Sequence, residues 1–115
     1  MKLVVIVDAA ISADDTNDKY YKMGNDSMAF IQSTIAKPGQ GDRPVEYGMN
    51  LFASVWPKHA VFMDWFQESA SNLWSVGLED LYKKVNYDGL WLDMSEATQF
   101  RNGELYTGLS KVPTP

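Results

Sequence analysis

The stretch Asn86 to Phe100, NYDGLWLDMSEATQF, decides how this chain is read. Leu90, Trp91 and Leu92 form a short apolar run, and Asp93 ends it. A second acid, Glu96, follows three residues later. An apolar run without polar alternation reads as a strand covered on both faces, as in parallel sheets. Near the start, Leu3 to Val7, LVVIV, has the same construction and ends on Asp8. Between the runs, ESASNLWSVGLEDLYKKV sets Trp74, Leu78, Leu81, Tyr82 and Val85 at helical spacing. Two strands joined by a helix are expected to lie parallel with a right-handed crossover. In parallel α/β folds ligands sit at the carboxyl ends of strands. A strand that finishes on an acid therefore points its last residue at a site.

The 115 residues suit one globular unit with a modest core. Four Trp and six Tyr are many for this length, and such rings serve in cores or as stacking walls for flat ligands, including sugars. The net charge of −5, with no Lys/Arg run, speaks against nucleic acid as a partner. There is no Cys for a disulfide or thiolate metal site, and the single His59 cannot make a His-rich zinc site. No metal and no cofactor are expected. The apolar run at the start is too short for a membrane span or the core of a signal peptide, so Met1 and Lys2 read as a strand edge.

The expected organisation is one segment over 1–115: a strand at 2–8, an excursion at 9–67, a helix at 68–85, a strand at 89–94 and a tail at 95–115. Within the excursion, SADDTND and KPGQGDRP are turn-rich. SMAFIQSTIA reads as a short strand or a helical turn, and NLFASVWPKHAVFMDWF as two short extended pieces around a turn at Pro57. A connection this long is expected to be a functional loop or a small inserted subdomain. Ser69 or Ser71 is the expected cap of the helix, and Lys83 and Lys84 suit the negative end of its dipole. Asp14, Asp15 and Asp18 lack calcium-loop spacing and read as a solvated loop. The tail is expected to be irregular. Asn25-Asp26-Ser27 fits a glycosylation sequon, a short pattern that often occurs by chance.

Three stretches carry a resemblance. Gly89-Leu90-Trp91-Leu92-Asp93-Met94-Ser95-Glu96 resembles the nucleophile signature of glycoside hydrolase family 31, the α-glucosidase and α-xylosidase family: an aromatic residue or Gly, an apolar residue, Trp, any residue, Asp-Met, a small polar residue and Glu. VWPKHAVFMDW resembles the family's Val-Trp-Pro-Gly, small residues, Phe-Pro-Asp-Phe, and VVIVDAAI resembles its earlier strand ending Asp-Pro-Ala-Ile. The matches follow the family's chain order over about residues 2–101. Ala9 and Met63 stand where Pro is usual, Lys58 where Gly is usual, and SEATQF where Asn-Glu-Pro-Ser-Asn-Phe is commoner.

The resemblance implies an α/β chain that is a fragment of a (β/α)8 TIM-type barrel: two parallel strands, a long inserted loop and one helix. Whole barrels take roughly 250 residues. The family's general acid/base, on a later strand, is outside this segment. The implied function is that of a retaining α-glucosidase segment, which removes terminal α-linked glucose from oligosaccharides when the barrel is complete. The alternative is a non-catalytic piece that binds carbohydrate or completes a barrel with another chain. The implied partners are a carbohydrate substrate and the rest of the barrel, and the implied compartments are the secretory path, the lysosome or the endoplasmic reticulum lumen. By resemblance Asp93 is the nucleophile and Asp8 binds sugar hydroxyls. Ile6, Trp56 and Met94 form apolar walls of the pocket, and Trp91 lies in its floor or in the core. Ile6 and Met94 fit ordinary core equally well. Glu96 is expected to orient the loop by hydrogen bonds rather than to act as the acid. Asp64 and His59 are read as structural.

Overall fold

The computed structural model describes residues 1–35, 37, 43–100 and 105. Strands β1 (Val4–Asp8) and β4 (Gly89–Asp93) pair in parallel, with Val4 opposite Gly89 and Asp8 opposite Asp93. The start of the pair is pinned by the Asp88 carboxylate, which accepts from the Leu3 N–H at 2.6 Å, while the Leu3 carbonyl accepts from the N–H groups of Asp88 and Gly89. Parallel strands need a crossover, and helix α2 (Glu68–Lys84) supplies it.

The helix does not begin at either serine. Asp64 forms the turn before it: its side chain accepts from the Phe66 N–H at 3.1 Å and its carbonyl from the Gln67 N–H at 2.9 Å. Gln67 becomes the N-cap, without a side-chain bond, and Ser69 and Ser71 fall inside the helix. Glu68 in the first turn and Lys83 and Lys84 in the last complement the dipole.

The excursion is not one long loop, and the described residues hold a second helix. Helix α1 (Lys19–Asp26) starts at Asp18, whose carboxylate accepts from the N–H groups of Tyr20 and Tyr21 at 3.0 and 3.1 Å. One of the acids expected to be solvated is thus a helix cap. Strand β2 (Ile11–Ser12) pairs antiparallel with β3 (Ala60–Val61), and single bridges join Phe30 to Met63, Gln32 to Asn50 and Ala53 to Ala60. A short 3-10 turn covers Val45–Tyr47. Most of KPGQGDRP and most of the tail after Phe100, for which turn and irregular structure were expected, lie outside the described residues.

The core sits in this inserted unit and not around the strands. Tyr21, Phe30, Tyr47, Phe52, Val61 and Met63 are buried with Ala70 and Leu73 of α2. The Tyr47 and Phe52 rings stack at 4.0 Å. The two strands, expected to be covered on both faces, are not: Ile6 is 54% exposed and Trp91 61%. The reason is architectural. α2 faces the pair across a gap on one side, where Leu92 is still 53% exposed, and on the other side the described residues supply no layer. Alternation along the strands puts Val4, Ile6 and Asp8 on one face with Gly89, Trp91 and Asp93. No helix of the described residues is long and apolar enough to cross a membrane.

Candidate active site

Asp8 and Asp93 are the last residues of their strands and face each other in the register. Neighbouring strands lie about 4.8 Å apart, so two in-register side chains reach toward the same space. Both residues are half-buried. One Asp93 carboxylate oxygen, Oδ1, accepts from the Met94 N–H at 2.9 Å. Among the described residues Oδ2 has no hydrogen-bond partner.

Met94 turns the chain sharply out of β4. Its φ is 49°, in the left-handed region that non-glycine residues seldom occupy. Its side chain packs against the small cluster of Ala53, Val55, Ala60 and Phe62. Trp56 projects from the adjoining turn, where the Val55 N–H donates to the Pro57 carbonyl at 3.1 Å. The indole is 75% exposed and meets the edge of Phe100 at 5.1 Å, with the rings near perpendicular at 83°. Two bonds join the Trp56 segment to the segment after Asp93. The Ser54 N–H donates to Gln99 Oε1 at 2.8 Å, and the Phe100 N–H donates to the Ser54 carbonyl at 2.9 Å.

The structure therefore sets Asp8, Asp93 and Met94 at one end of the strand pair and ties the turn that carries Trp56 to the segment after Asp93. Ile6 and Trp91 lie side by side two residues below the acids, on the same exposed face. Glu96 is exposed and makes no hydrogen bond among the described residues, so other groups orient the loop there. One is Trp65, whose indole N–H donates to the Ser95 carbonyl at 3.0 Å. The separate turn after Trp56 is held by Asp14, whose carboxylate accepts from the N–H groups of Lys58 and His59 at 3.3 and 2.8 Å and lies 3.2 Å from the His59 ring. The roles of Trp65, Asp14, Gln99 and Phe100 were not read from the sequence. Asp14 is 44 residues from Lys58, and no local spacing signals such a bond.

A cavity of about 290 Å³ opens between β1 and α2, lined by Val7, Asp8, Ile11, Trp74, Leu78 and Lys84 among others. Asp93, Met94 and Trp56 do not line it. It is a mostly apolar gap between sheet and helix, with Asp8 and Lys84 as its charged members. No group of three or more metal-ligating side chains occurs among the described residues.

Comparison with known proteins gives this arrangement a setting. Residues 1–113 match the family described as glycosyl hydrolases family 31, TIM-barrel domain. An α-glucosidase from Mucor javanicus is 31% identical over 105 residues, covering 91% of this chain and 11% of that protein. An α-glucosidase from Aspergillus niger is 33% identical over 110 residues, again 91% of this chain and 10% of the relative. Human intestinal sucrase-isomaltase is 30% identical over 106 residues, 89% of this chain and 5% of the relative. The chain thus spans about a tenth or less of the length of these curated relatives.

Proposed function

The chain belongs to glycosyl hydrolases family 31, within its TIM-barrel domain, and on that premise we propose that it supplies the nucleophile end of a retaining α-glucosidase site. The observation that supports this most is the register: two carboxylates, Asp8 and Asp93, end adjacent parallel strands as partners.

In this reading the Asp93 carboxylate attacks the anomeric carbon of a terminal α-linked glucose. The glycosidic C–O bond breaks, and the leaving oxygen takes a proton from an acid contributed by another part of the barrel. The sugar remains as an ester on Asp93. Water, deprotonated by that same group, then attacks the anomeric carbon and releases glucose with retained configuration. Asp8 accepts hydrogen bonds from hydroxyls of the bound sugar, where a carboxylate gains charge-assisted strength. Trp56 offers its face to the apolar side of the sugar ring. Met94 and Ile6 are the apolar walls, and Trp91 lies in the floor. The reading places the protein in the secretory path, the lysosome or the endoplasmic reticulum lumen.

The test is hydrolysis of an aryl α-glucoside by a complete barrel carrying this segment. Asp93→Ala should remove turnover while a competitive sugar still binds. Undiminished turnover in that variant would contradict the reading.

A second reading has its own support. Ile6 and Trp91 expose an apolar strand face that a further layer would cover. The 115 residues on their own would then be a non-catalytic piece that binds carbohydrate or completes a barrel with another chain. Turnover of the aryl glucoside by the 115-residue chain alone, lost in Asp93→Ala, would remove this second reading.

A further inference from the structure

The backbone just past Asp93 is held in an unfavourable shape. A left-handed residue other than glycine costs roughly 1–2 kcal/mol, and Met94 is one of two such residues among those described. The Met94 N–H is also the group that holds the Asp93 carboxylate. The direction of that carboxylate therefore depends on the Met94 peptide staying where it is. Strained backbone persists only where its surroundings over-determine it.

Two attachments supply that determination on the far side of Met94. Gln99 and Phe100 are tied to Ser54, but they lie several residues downstream. Nearer is the Trp65 bond to the Ser95 carbonyl, two residues from Asp93. Trp65 is itself anchored: its ring meets Trp74 of α2 edge-on at 5.5 Å and 89°. The indole thus links the helix layer to the Ser95–Glu96 peptide, one residue beyond the Met94 turn. Trp65 stands where the resembled pattern has Phe, which has no N–H to donate. Ala97 stands where it has Pro, so the loop lacks a ring that would fix its φ. A side-chain donor at 65 and a less restrained backbone at 97 occur together in this sequence.

We propose that Trp65 is a positioning residue for the nucleophile, acting through the Ser95 carbonyl and the Met94 peptide on the Asp93 carboxylate. The inference rests on the reading of Asp93 as nucleophile. Its effect belongs to the attack step and not to sugar binding, because Trp65 meets the loop backbone behind Asp93 and is not among the groups expected to touch the sugar.

The experiment is covalent labelling of the complete barrel by a fluorinated glucosyl fluoride, with the labelled peptide mapped by mass. The rate constant at saturating reagent and the half-saturating concentration are measured for the wild type, W65F and W74F. A thermal melt gives the folded fraction of each variant, and the rate constant is divided by it, so folding and positioning separate. W65F keeps a ring and deletes the donor, so the rate constant should fall about threefold to tenfold, the worth of one neutral hydrogen bond, with half-saturation unchanged. W74F keeps a ring edge beside Trp65 and leaves the Trp65 N–H in place, so it should label faster than W65F. A wild-type rate constant in W65F, or equal slowing in W74F, would overturn the positioning role. A label on a residue other than Asp93 in the wild type would overturn the reading beneath it.

Discussion

Asp8 and Asp93 are partners in the parallel register of β1 and β4, each the last residue of its strand. The strand spacing of about 4.8 Å is close to the roughly 5–5.5 Å between the two carboxyl groups of a retaining glycosidase. Spacing by itself would let Asp8 serve as the acid. Asp8 is instead assigned to the sugar hydroxyls, and leaving groups distinguish the two roles. Asp8→Asn should reduce kcat/KM by a similar factor for aryl glucosides with good and poor leaving groups. A loss confined to poor leaving groups would make Asp8 the proton donor.

Two glycines should respond oppositely to alanine. A Cβ on Gly24 would lie 2.1 Å from Cζ of Phe30, a buried ring stacked on Tyr21. Overpacking of that kind costs about 1–3 kcal/mol, against a helix-propensity gain of about 1 kcal/mol. Gly77, inside α2, has nothing within 4 Å of its Cβ position. Urea denaturation should find Gly24→Ala less stable than wild type and Gly77→Ala more stable by about 1 kcal/mol. Destabilisation by Gly77→Ala would mean that the gap beside α2 is filled.

The docking of α1 on α2 should depend on pH. The Asp80 carboxylate accepts from Lys19 Nζ at 2.9 Å and from the Tyr20 hydroxyl at 2.8 Å. The Lys19 bond first, and then the Tyr20 bond, hold Asp80 below the ordinary carboxylate value of 3.8. A lowered folded pKa means that the contribution is whole above that ordinary value and is lost as pH falls through the folded one. Lys19 and Tyr20 are raised, each chiefly by its bond to Asp80, so their share is lost as pH rises through their folded values. Thermal midpoints followed from neutral to strongly acidic pH should fall less steeply in Asp80→Asn than in wild type. Salt should weaken the effect, since the cluster is partly exposed. Identical acid limbs would show that the clamp contributes nothing.

The parallel strands, the crossover helix and the acids at the strand ends were legible because each rests on local pattern: apolar runs, helical spacing and a terminal Asp. The inserted unit was less so. Helix α1 is only eight residues long and its cap, Asp18, sits among other acids that favour loops equally. Its stability comes from burying Tyr21 against Phe30, which lies beyond the helix, and against Phe52, which is distant in sequence. The exposure of Trp91 was illegible for the opposite reason: an apolar run signals a residue that wants cover, not whether these residues provide it. At the site, the donors that shape the loop, Trp65 and the Ser54 N–H, act across 30 and 45 residues.

The identity of the nucleophile is tested most directly by mapping the residue that a fluorinated glucosyl reagent labels in the complete barrel. A single ester should form on Asp93 and be absent from Asp93→Asn, while reversible sugar binding by that variant remains. A label on Asp8, on Glu96 or on any other residue would contradict the assignment of Asp93.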